Sequence, residues 1–152
     1  MPTICAIHDR SPAAIEEETN MAVKILEIHH TGVRVDTGAE KLDATMGFYK
    51  DVLGLGHDTG RPTIPGIPGA WINVGEVGQI HLIGGDLPSP FAQVPGRDPT
   101  APHVALAVEN IVETKAELDL LGASYWSLKG ATGPDAEQLF LNDPCGNMVE
   151  LH

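Results

Sequence analysis

Hydrophobic and polar positions repeat along the chain in an order that predicts two similar halves. The first half opens with a β-rich segment at residues 23–35, followed by a predicted helix at residues 41–53. Apolar residues in that helix recur every three or four positions, and Gly54 follows where helices commonly end. Alternating residues at 70–74 and 79–83 then predict a hairpin of two strands.

The same order of elements recurs in the second half of the chain. Residues 103–108 predict a strand, and Asn110 is a favourable N-cap for a helix over residues 111–121 that ends at Gly122. The strands predicted after this helix lie at residues 124–128, 138–141 and 148–151.

This repeat predicts an α+β fold built from two βαβββ modules, over about residues 23–85 and 101–152. Neither module could bury the apolar face of its sheet alone, so we expect the two to pair within one domain over residues 21–152. Pro- and Gly-rich connections at residues 59–69 and 84–102 are expected to shape the rim of a pocket. Residues 1–20 have no sustained periodicity, and we expect a weakly ordered extension or a segment that clasps a partner subunit.

Charge and composition exclude several functional classes. Of the 152 residues, nine are Lys or Arg and 21 are Asp or Glu, which gives a net charge of −12. A chain this acidic repels phosphate backbones and anionic membranes, so we expect neither nucleic acid nor a membrane as a partner. The sequence has no apolar run of roughly 20 residues, no signal-peptide pattern and no disulfide framework. We therefore expect a cytoplasmic location.

Four side chains at corresponding positions of the two modules could bind a metal ion. Strand alternation places each of them on the less apolar face of its own strand. A single histidine in a strand is usually an ordinary half-buried residue, so the matching placement of all four carries the hypothesis. Three imidazoles and one carboxylate suit a divalent ion such as Zn, Ni, Co, Mn or Fe, with positions left open for substrate oxygens. The predicted ligands are His30, His81, His103 and Glu150.

The remaining histidines are not predicted ligands. Alternation places His29 on the face opposite His30, where we expect it at the surface or against a helix. His57 falls in a loop after the first helix, His8 in the N-terminal extension, and His152 is the last residue of the sequence.

One basic residue and three others are predicted to contact a substrate. Arg34 shares the predicted cavity face with His30 and could bind an anionic group, although a salt bridge at the rim fits its position equally well. The other three predicted substrate contacts are Gln79, Phe140 and Met148.

Several motifs together resemble the vicinal oxygen chelate superfamily, over about residues 23–152. They are HHTGVRV from His29, FYKDVLGL from Phe48, GAW from Gly69, QIHLI from Gln79 and DPCGNMVEL from Asp143. The superfamily includes glyoxalase I, methylmalonyl-CoA epimerase, extradiol dioxygenases, fosfomycin-resistance thiol transferases and bleomycin-resistance proteins. The resemblance, which is greatest to the glyoxalase-I-like subgroup, implies a cupped mixed sheet around a metal, a small-molecule substrate and a homodimer.

The residue at the second ligand position separates the functions that the resemblance implies. Glyoxalase I typically has Glu there and the epimerase Gln, whereas this chain has His81. Dioxygenases and thiol transferases use two His and one Glu, which correspond to His30, His103 and Glu150.

We expect first a metal-dependent lyase or isomerase in which Glu150 or His81 moves a proton on the carbon next to a carbonyl group. The alternatives are an Fe(II)-dependent ring-cleaving dioxygenase with His81 as acid or base, a thiol transferase, and a non-catalytic binding protein of the bleomycin-resistance kind.

Overall fold

The computed structural model describes residues 22–152, so the predicted extension at residues 1–20 lies outside the described residues. The first module contains strand β1, helix α1 and strands β2, β3 and β4, and the second contains strand β5, helix α2 and strands β6, β7 and β8. In the first module these are β1 Ile25–Arg34, α1 Ala39–Gly47, β2 Gly56–Asp58, β3 Gly69–Val74 and β4 Gly78–Ile83. In the second they are β5 His103–Val108, α2 Ile111–Leu120, β6 Trp126–Lys129, β7 Glu137–Asn142 and β8 Met148–Leu151.

The structure confirms the predicted α+β class. Helix α1 continues into a π-helical turn at Phe48–Val52, which completes the helical segment that the periodicity predicts. The prediction missed β2 and placed His57 in a loop, whereas His57 pairs with Ile72 of β3. A strand of three residues is too short to display an alternating pattern.

All eight strands form one mixed sheet in the order β2-β3-β4-β1-β5-β8-β7-β6. The first strands of the two modules, β1 and β5, pair antiparallel at its centre. The last strand of each module lies parallel to the first, so that β4 flanks β1 and β8 flanks β5. This arrangement places the four strands that carry the predicted metal ligands side by side.

Apolar side chains bury one face of the sheet under the two helices. Val35, Ile72 and Leu82 of the first module pack with residues of the first helical segment, and Leu139 and Leu151 of the second module pack with residues of α2. Because successive residues of a strand face opposite sides, this packing leaves the other face of the central strands for the polar candidates. Neither helix of the described chain is long and apolar enough to cross a membrane.

Candidate metal centre

Three of the four predicted ligands converge at the centre of the sheet. Nε2 of His30 lies 3.2 Å from Nε2 of His103. Oε2 of Glu150 lies 3.2 Å from Nε2 of His103 and 3.6 Å from Nε2 of His30. Donor atoms held about 2.1 Å from one ion at tetrahedral or octahedral angles are roughly 3.0–3.4 Å apart. Two of the three distances lie in this range and the third, at 3.6 Å, is slightly longer, so the spacing and the two-nitrogen, one-carboxylate donor set suit a divalent metal ion.

The hydrogen bonds around the triad orient its donor atoms. Nδ1 of His103 donates to the carbonyl oxygen of Ala101 at 2.7 Å, which directs Nε2 of the same ring into the site. The side-chain amide of Gln138 donates to Oε1 of Glu150 at 2.8 Å and leaves Oε2 for the site. These contacts are of the kind that commonly fix the tautomer and direction of metal ligands.

Burial and mutual attraction act in opposite directions on the charges of the triad. Burial alone would raise the pKa of Glu150, but hydrogen bonds with His103 and His30 outweigh it and hold this pKa well below its usual range. Burial alone would lower the pKa of His103, but the hydrogen bond and charge of Glu150 raise it above its usual value. The carboxylate is thus kept ionised between two imidazoles, an arrangement that favours the binding of a cation.

A glycine allows His103 to lie in the site. A β-carbon built on Gly32 would be 2.4 Å from Cε1 and 2.8 Å from both nitrogens of the His103 ring. Real side chains do not approach so closely, so the imidazole can occupy this position only because residue 32 has no side chain. The sequence motif HHTGVRV contains this glycine, but without the strand register its role was not predictable.

The fourth predicted ligand, His81, lies beside the triad and outside it. Among the described residues, the fully buried donor group comprises His30, His103 and Glu150, and a second, half-buried group of His29, His30 and His152 also lacks His81. The His81 ring is stacked between His30, at 3.7 Å between centroids, and Trp71, at 4.6 Å. Burial and the neighbouring His30 lower the pKa of His81 to about 2, so the ring is neutral. The structure thus separates His81 from the other predicted ligands.

Hydrogen bonds from a neighbouring amide determine the tautomer of His81. The amide nitrogen of Gln79 donates to Oδ2 of Asp58 at 2.8 Å and to Oδ1 of Asn73 at 3.0 Å. The Gln79 oxygen therefore accepts, and Nε2 of His81, 2.9 Å away, carries the proton. Nδ1 of His81 consequently keeps its lone pair.

The prediction that His29 faces away from the site is wrong. Pairing between β1 and β5 is irregular between Ile28 and His30, so His29 is an extra residue that breaks the alternation. Its Nδ1 lies 3.0 Å from Nδ1 of His30, and its ring packs against His152 with centroids 4.3 Å apart. Both His29 and His152 line the cavity beside the triad, and burial lowers the pKa of each.

The triad opens onto a cavity of about 390 Å³, a volume suited to a small molecule. The connections between strands supply much of its wall, as the sequence predicts. Apolar side chains predominate, and the cavity also contains Arg61 and Thr100. The principal apolar residues of the wall are Ile64, Ile67, Trp71, Ile83, Phe91 and Leu128.

The structure places none of the four predicted substrate contacts in the wall of this cavity, because each is engaged elsewhere. The Arg34 guanidinium donates to the carbonyl oxygens of Gly84 and Gly85 at another part of the surface. The side-chain oxygen of Gln79 accepts a hydrogen bond from Nε2 of His81. Phe140 is fully buried and stacks on Trp126, and Met148 packs in the same cluster. Phe140 and Met148 face away from the helices, but they fill the interior beneath the site and do not reach the cavity.

Known proteins share both the sequence pattern and the fold. The family model described as the glyoxalase/bleomycin resistance protein/dioxygenase superfamily matches residues 27–151. A relative in Arabidopsis thaliana, Glyoxylase I 4, is 26% identical over 138 residues, which cover 90% of this chain and 76% of that protein.

Solved structures with the same fold include a hypothetical protein from Bacillus halodurans C-125, with a TM-score of 0.61 and 25% identity, covering 82% of this chain and 91% of that one. Methylmalonyl-CoA epimerase from Mycobacterium tuberculosis has a TM-score of 0.58 and 20% identity, covering 85% and 88% of the two chains. Since the family model matches nearly all of the described chain, the protein belongs to the glyoxalase/bleomycin resistance protein/dioxygenase superfamily.

Proposed function

We propose that this chain is a divalent-metal-dependent enzyme whose small substrate offers two neighbouring oxygen atoms to the metal. The observation that carries the proposal is the buried triangle of His30, His103 and Glu150 at one end of an apolar cavity. These three residues would hold Zn, Ni, Co, Mn or Fe in its divalent form. Such an ion, when bound, supplies Lewis-acid stabilisation of negative charge that develops on a substrate oxygen.

A lyase or isomerase that moves a proton next to a carbonyl group is the first candidate. Both carboxylate oxygens of Glu150 are engaged, one by Gln138 and the other within the triad. His81 instead offers Nδ1, while Nε2 is bonded to Gln79. We therefore assign the ligand role to Glu150 and the proton transfer to Nδ1 of His81, which with its low pKa would hold the proton only transiently and return it readily to the substrate. The Arabidopsis relative named Glyoxylase I 4 supports this class of reaction.

An Fe(II)-dependent dioxygenase is the second candidate, favoured by the separation of His81 from the triad. Two histidines and one carboxylate without a fourth protein ligand form the donor set of many non-haem Fe(II) oxygenases. In that reaction His81 would act as acid or base beside the substrate, not as a ligand.

A homodimer is part of the same proposal, because the family resemblance implies one. The first residues of β1 leave apolar side chains exposed, with Leu26 54% and Ile28 66% accessible. Analytical ultracentrifugation of the wild type and of Ile28→Glu tests this expectation, and a wild-type monomer would contradict it.

Metal reconstitution combined with an oxygen test separates the candidate functions. Metal-free protein is loaded with each of the five ions and assayed with thiol adducts of 2-oxoaldehydes and with catechols, in air and under nitrogen. Turnover without oxygen supports the lyase or isomerase, and oxygen uptake with Fe(II) supports the dioxygenase. A protein that binds metal but turns over neither group of compounds would favour the binding-protein or thiol-transferase alternative.

The matched variants are His30→Ala, His103→Ala and Glu150→Ala, with His57→Ala on β2 as the control. We expect one bound ion per chain in the wild type and in the control, and much less in the three triad variants. Unchanged metal content in the triad variants would disprove the proposed site.

A further inference from the structure

Among the described residues that line the cavity, Arg61 is the only one with a permanent positive charge. None of the ion pairs within residues 22–152 includes its guanidinium group. Glu137, in the same wall, is by contrast neutralised by Lys115 at 2.8 Å and Lys129 at 3.5 Å. The half-buried cation in the cavity is thus left without a carboxylate partner from the described chain.

The surrounding backbone holds the Arg61 side chain in place. Its Nη2 donates to the carbonyl oxygen of Ile67 at 2.8 Å, and its Nη1 donates to that of Pro62 at 3.2 Å. A β-carbon on Gly69 would lie 2.2 Å from the carbonyl oxygen of Leu82 and 3.2 Å from Nη2 of Arg61, so the glycine of the GAW motif is required first by the neighbouring strand and also leaves room for the guanidinium. The two carbonyl contacts orient the guanidinium but do not neutralise its charge. They use two of its five N–H donors, so other donors can bind a ligand.

The position of Arg61 relative to the triad follows from the strand register. Gly69, next to the guanidinium, and Trp71 lie two residues apart on the same face of β3, a distance of about 7 Å along a strand. The Trp71 ring stacks on His81, which in turn stacks on His30 of the triad. A row of stacked rings therefore runs from the predicted metal site to Trp71, and Arg61 lies beside the strand position two residues before Trp71.

We infer that Arg61 binds a carboxylate group of the substrate, at the end remote from the oxygens that contact the metal. This inference rests on the proposed function and adds the substrate class, a small vicinal-oxygen compound that is also a carboxylic acid. A guanidinium matches a carboxylate in geometry and forms strong charge-assisted hydrogen bonds with it. A monoanion balances the single charge of Arg61, whereas a phosphate dianion would add excess negative charge to a chain of net charge −12.

A pair of metal-chelating probes tests the inference on the zinc-loaded full chain. Catechol offers only the two neighbouring oxygens, and 3,4-dihydroxybenzoate adds a carboxylate on the opposite side of the ring. We expect the wild type to bind the acid at least about tenfold more tightly, as charge-assisted hydrogen bonds allow. In Arg61→Gln this preference should disappear, while the zinc content and the affinity for catechol stay at wild-type values.

The control for net charge is Arg97→Gln, since Arg97 is exposed and does not line the cavity. This control should retain the preference for the acid. Arg61→Lys, which keeps the charge but not the guanidinium geometry, should retain only part of the preference, and it provides a second reading if Arg61→Gln folds poorly. Equal binding of the two probes by the wild type, or a full preference in Arg61→Gln, would overturn the inference.

Failure of the proposed metal function has a different signature. If the wild type binds neither zinc nor catechol, the metal proposal fails, and the anion site is then measured on metal-free protein with benzoate and benzamide. A preference for benzoate that depends on Arg61 supports the carboxylate site on its own. Equal binding of benzoate and benzamide overturns it.

Discussion

The last strands of the two modules occupy equivalent places in the sheet but contribute differently to the site. Strand β4 lies parallel to β1, and β8 lies parallel to β5. Each carries an inward-facing predicted ligand, His81 on β4 and Glu150 on β8. Only Glu150 joins the two central histidines within the buried triad.

Neighbouring side chains account for this difference. Gln138 of the adjacent strand β7 donates to one oxygen of Glu150 and leaves the other oxygen directed at the histidines. In the first module the amide of Gln79 comes from the same strand as His81 and engages its Nε2, and Trp71 covers the ring. Strand alternation thus decides which face a residue occupies, while the neighbouring side chains decide where its donor atom points.

The largest expected effect is on the affinity for zinc when Glu150 and His81, which occupy equivalent strands, are each replaced by glutamine. We expect Glu150→Gln to lower the affinity for zinc by more than roughly 100-fold, the upper range for losing an outer-shell partner. His81→Gln should change that affinity by less than about tenfold, because His81 stands apart from the triad. Competition with a zinc chelator measures both, and equal losses in the two variants would place His81 among the ligands.

A second test displaces His103, one of the two central histidines, and leaves the residues of β4 and β8 unchanged. In Gly32→Ala the new methyl group would collide with the His103 ring, so His103 must leave its position. We expect a loss of about 1–3 kcal/mol in the free energy of unfolding, the usual range for overpacking, together with weakened zinc binding. Urea unfolding and chelator competition measure the two effects.

Gly56→Ala is the matched control for this substitution, because no atom lies within 4 Å of a β-carbon built at Gly56. It should keep the zinc affinity of the wild type. If Gly32→Ala also keeps wild-type stability and zinc affinity, the close approach of His103 to residue 32 is wrong.

A smaller effect on zinc affinity should distinguish the two glutamines that orient the candidate residues, Gln138 beside Glu150 and Gln79 beside His81. In Gln138→Met, Glu150 loses the hydrogen bond that orients it, and we expect the zinc affinity to fall about 10- to 100-fold, as for other outer-shell partners. In Gln79→Met the zinc affinity should stay near the wild-type value, while turnover falls because His81 loses its fixed tautomer. An equal fall in zinc affinity in both variants would show that Gln79 and Gln138 support the metal site alike, which contradicts the proposed difference between His81 and Glu150.

The modular repeat and the convergence of His30, His103 and Glu150, three of the four predicted ligands, could be predicted from the sequence for a physical reason. Alternation in a strand has a strict period of two, so the inward faces of β1, β5 and β8 could be assigned without coordinates. The same rule failed at His29, because an irregularity in β1 inserts one residue that no local pattern reveals.

The walls of the cavity were not predictable in the same way. Arg34 lies on a strand, and its alternation gave it an apparent substrate role, yet its guanidinium binds backbone carbonyls elsewhere. Arg61 lies in a Pro- and Gly-rich loop without periodicity, so only the folded path of that loop brings it to the cavity. Gln138 likewise acquires its role from the register of two neighbouring strands.

The smallest expected effect concerns the connection between the modules, which should matter mainly for stability. Asp98 accepts four hydrogen bonds there, from the backbone and hydroxyl groups of Ser89 and Thr100. Burial alone would raise the pKa of Asp98, but these hydrogen bonds outweigh it and lower the pKa below its usual value. The carboxylate therefore stabilises the fold at pH values above its unfolded pKa of about 3.9, and this contribution is lost as the pH falls through the lower folded value.

Asp98→Asn should accordingly lower the free energy of unfolding by about 1–2 kcal/mol near neutral pH, a discounted figure for a partly exposed group. The difference from the wild type should shrink as the pH falls below about 4, because the wild-type carboxyl then becomes protonated as well. Urea unfolding over a pH series measures this, with Asp86→Asn on the same connection as the control, since Asp86 is exposed. Zinc affinity should change by less than about tenfold in both variants, because the three ligands lie on β1, β5 and β8 and the connection contributes only the Ala101 carbonyl that orients His103. A loss of zinc binding in Asp98→Asn alone would show that the connection, and not only the difference between β4 and β8, sets the geometry of the site.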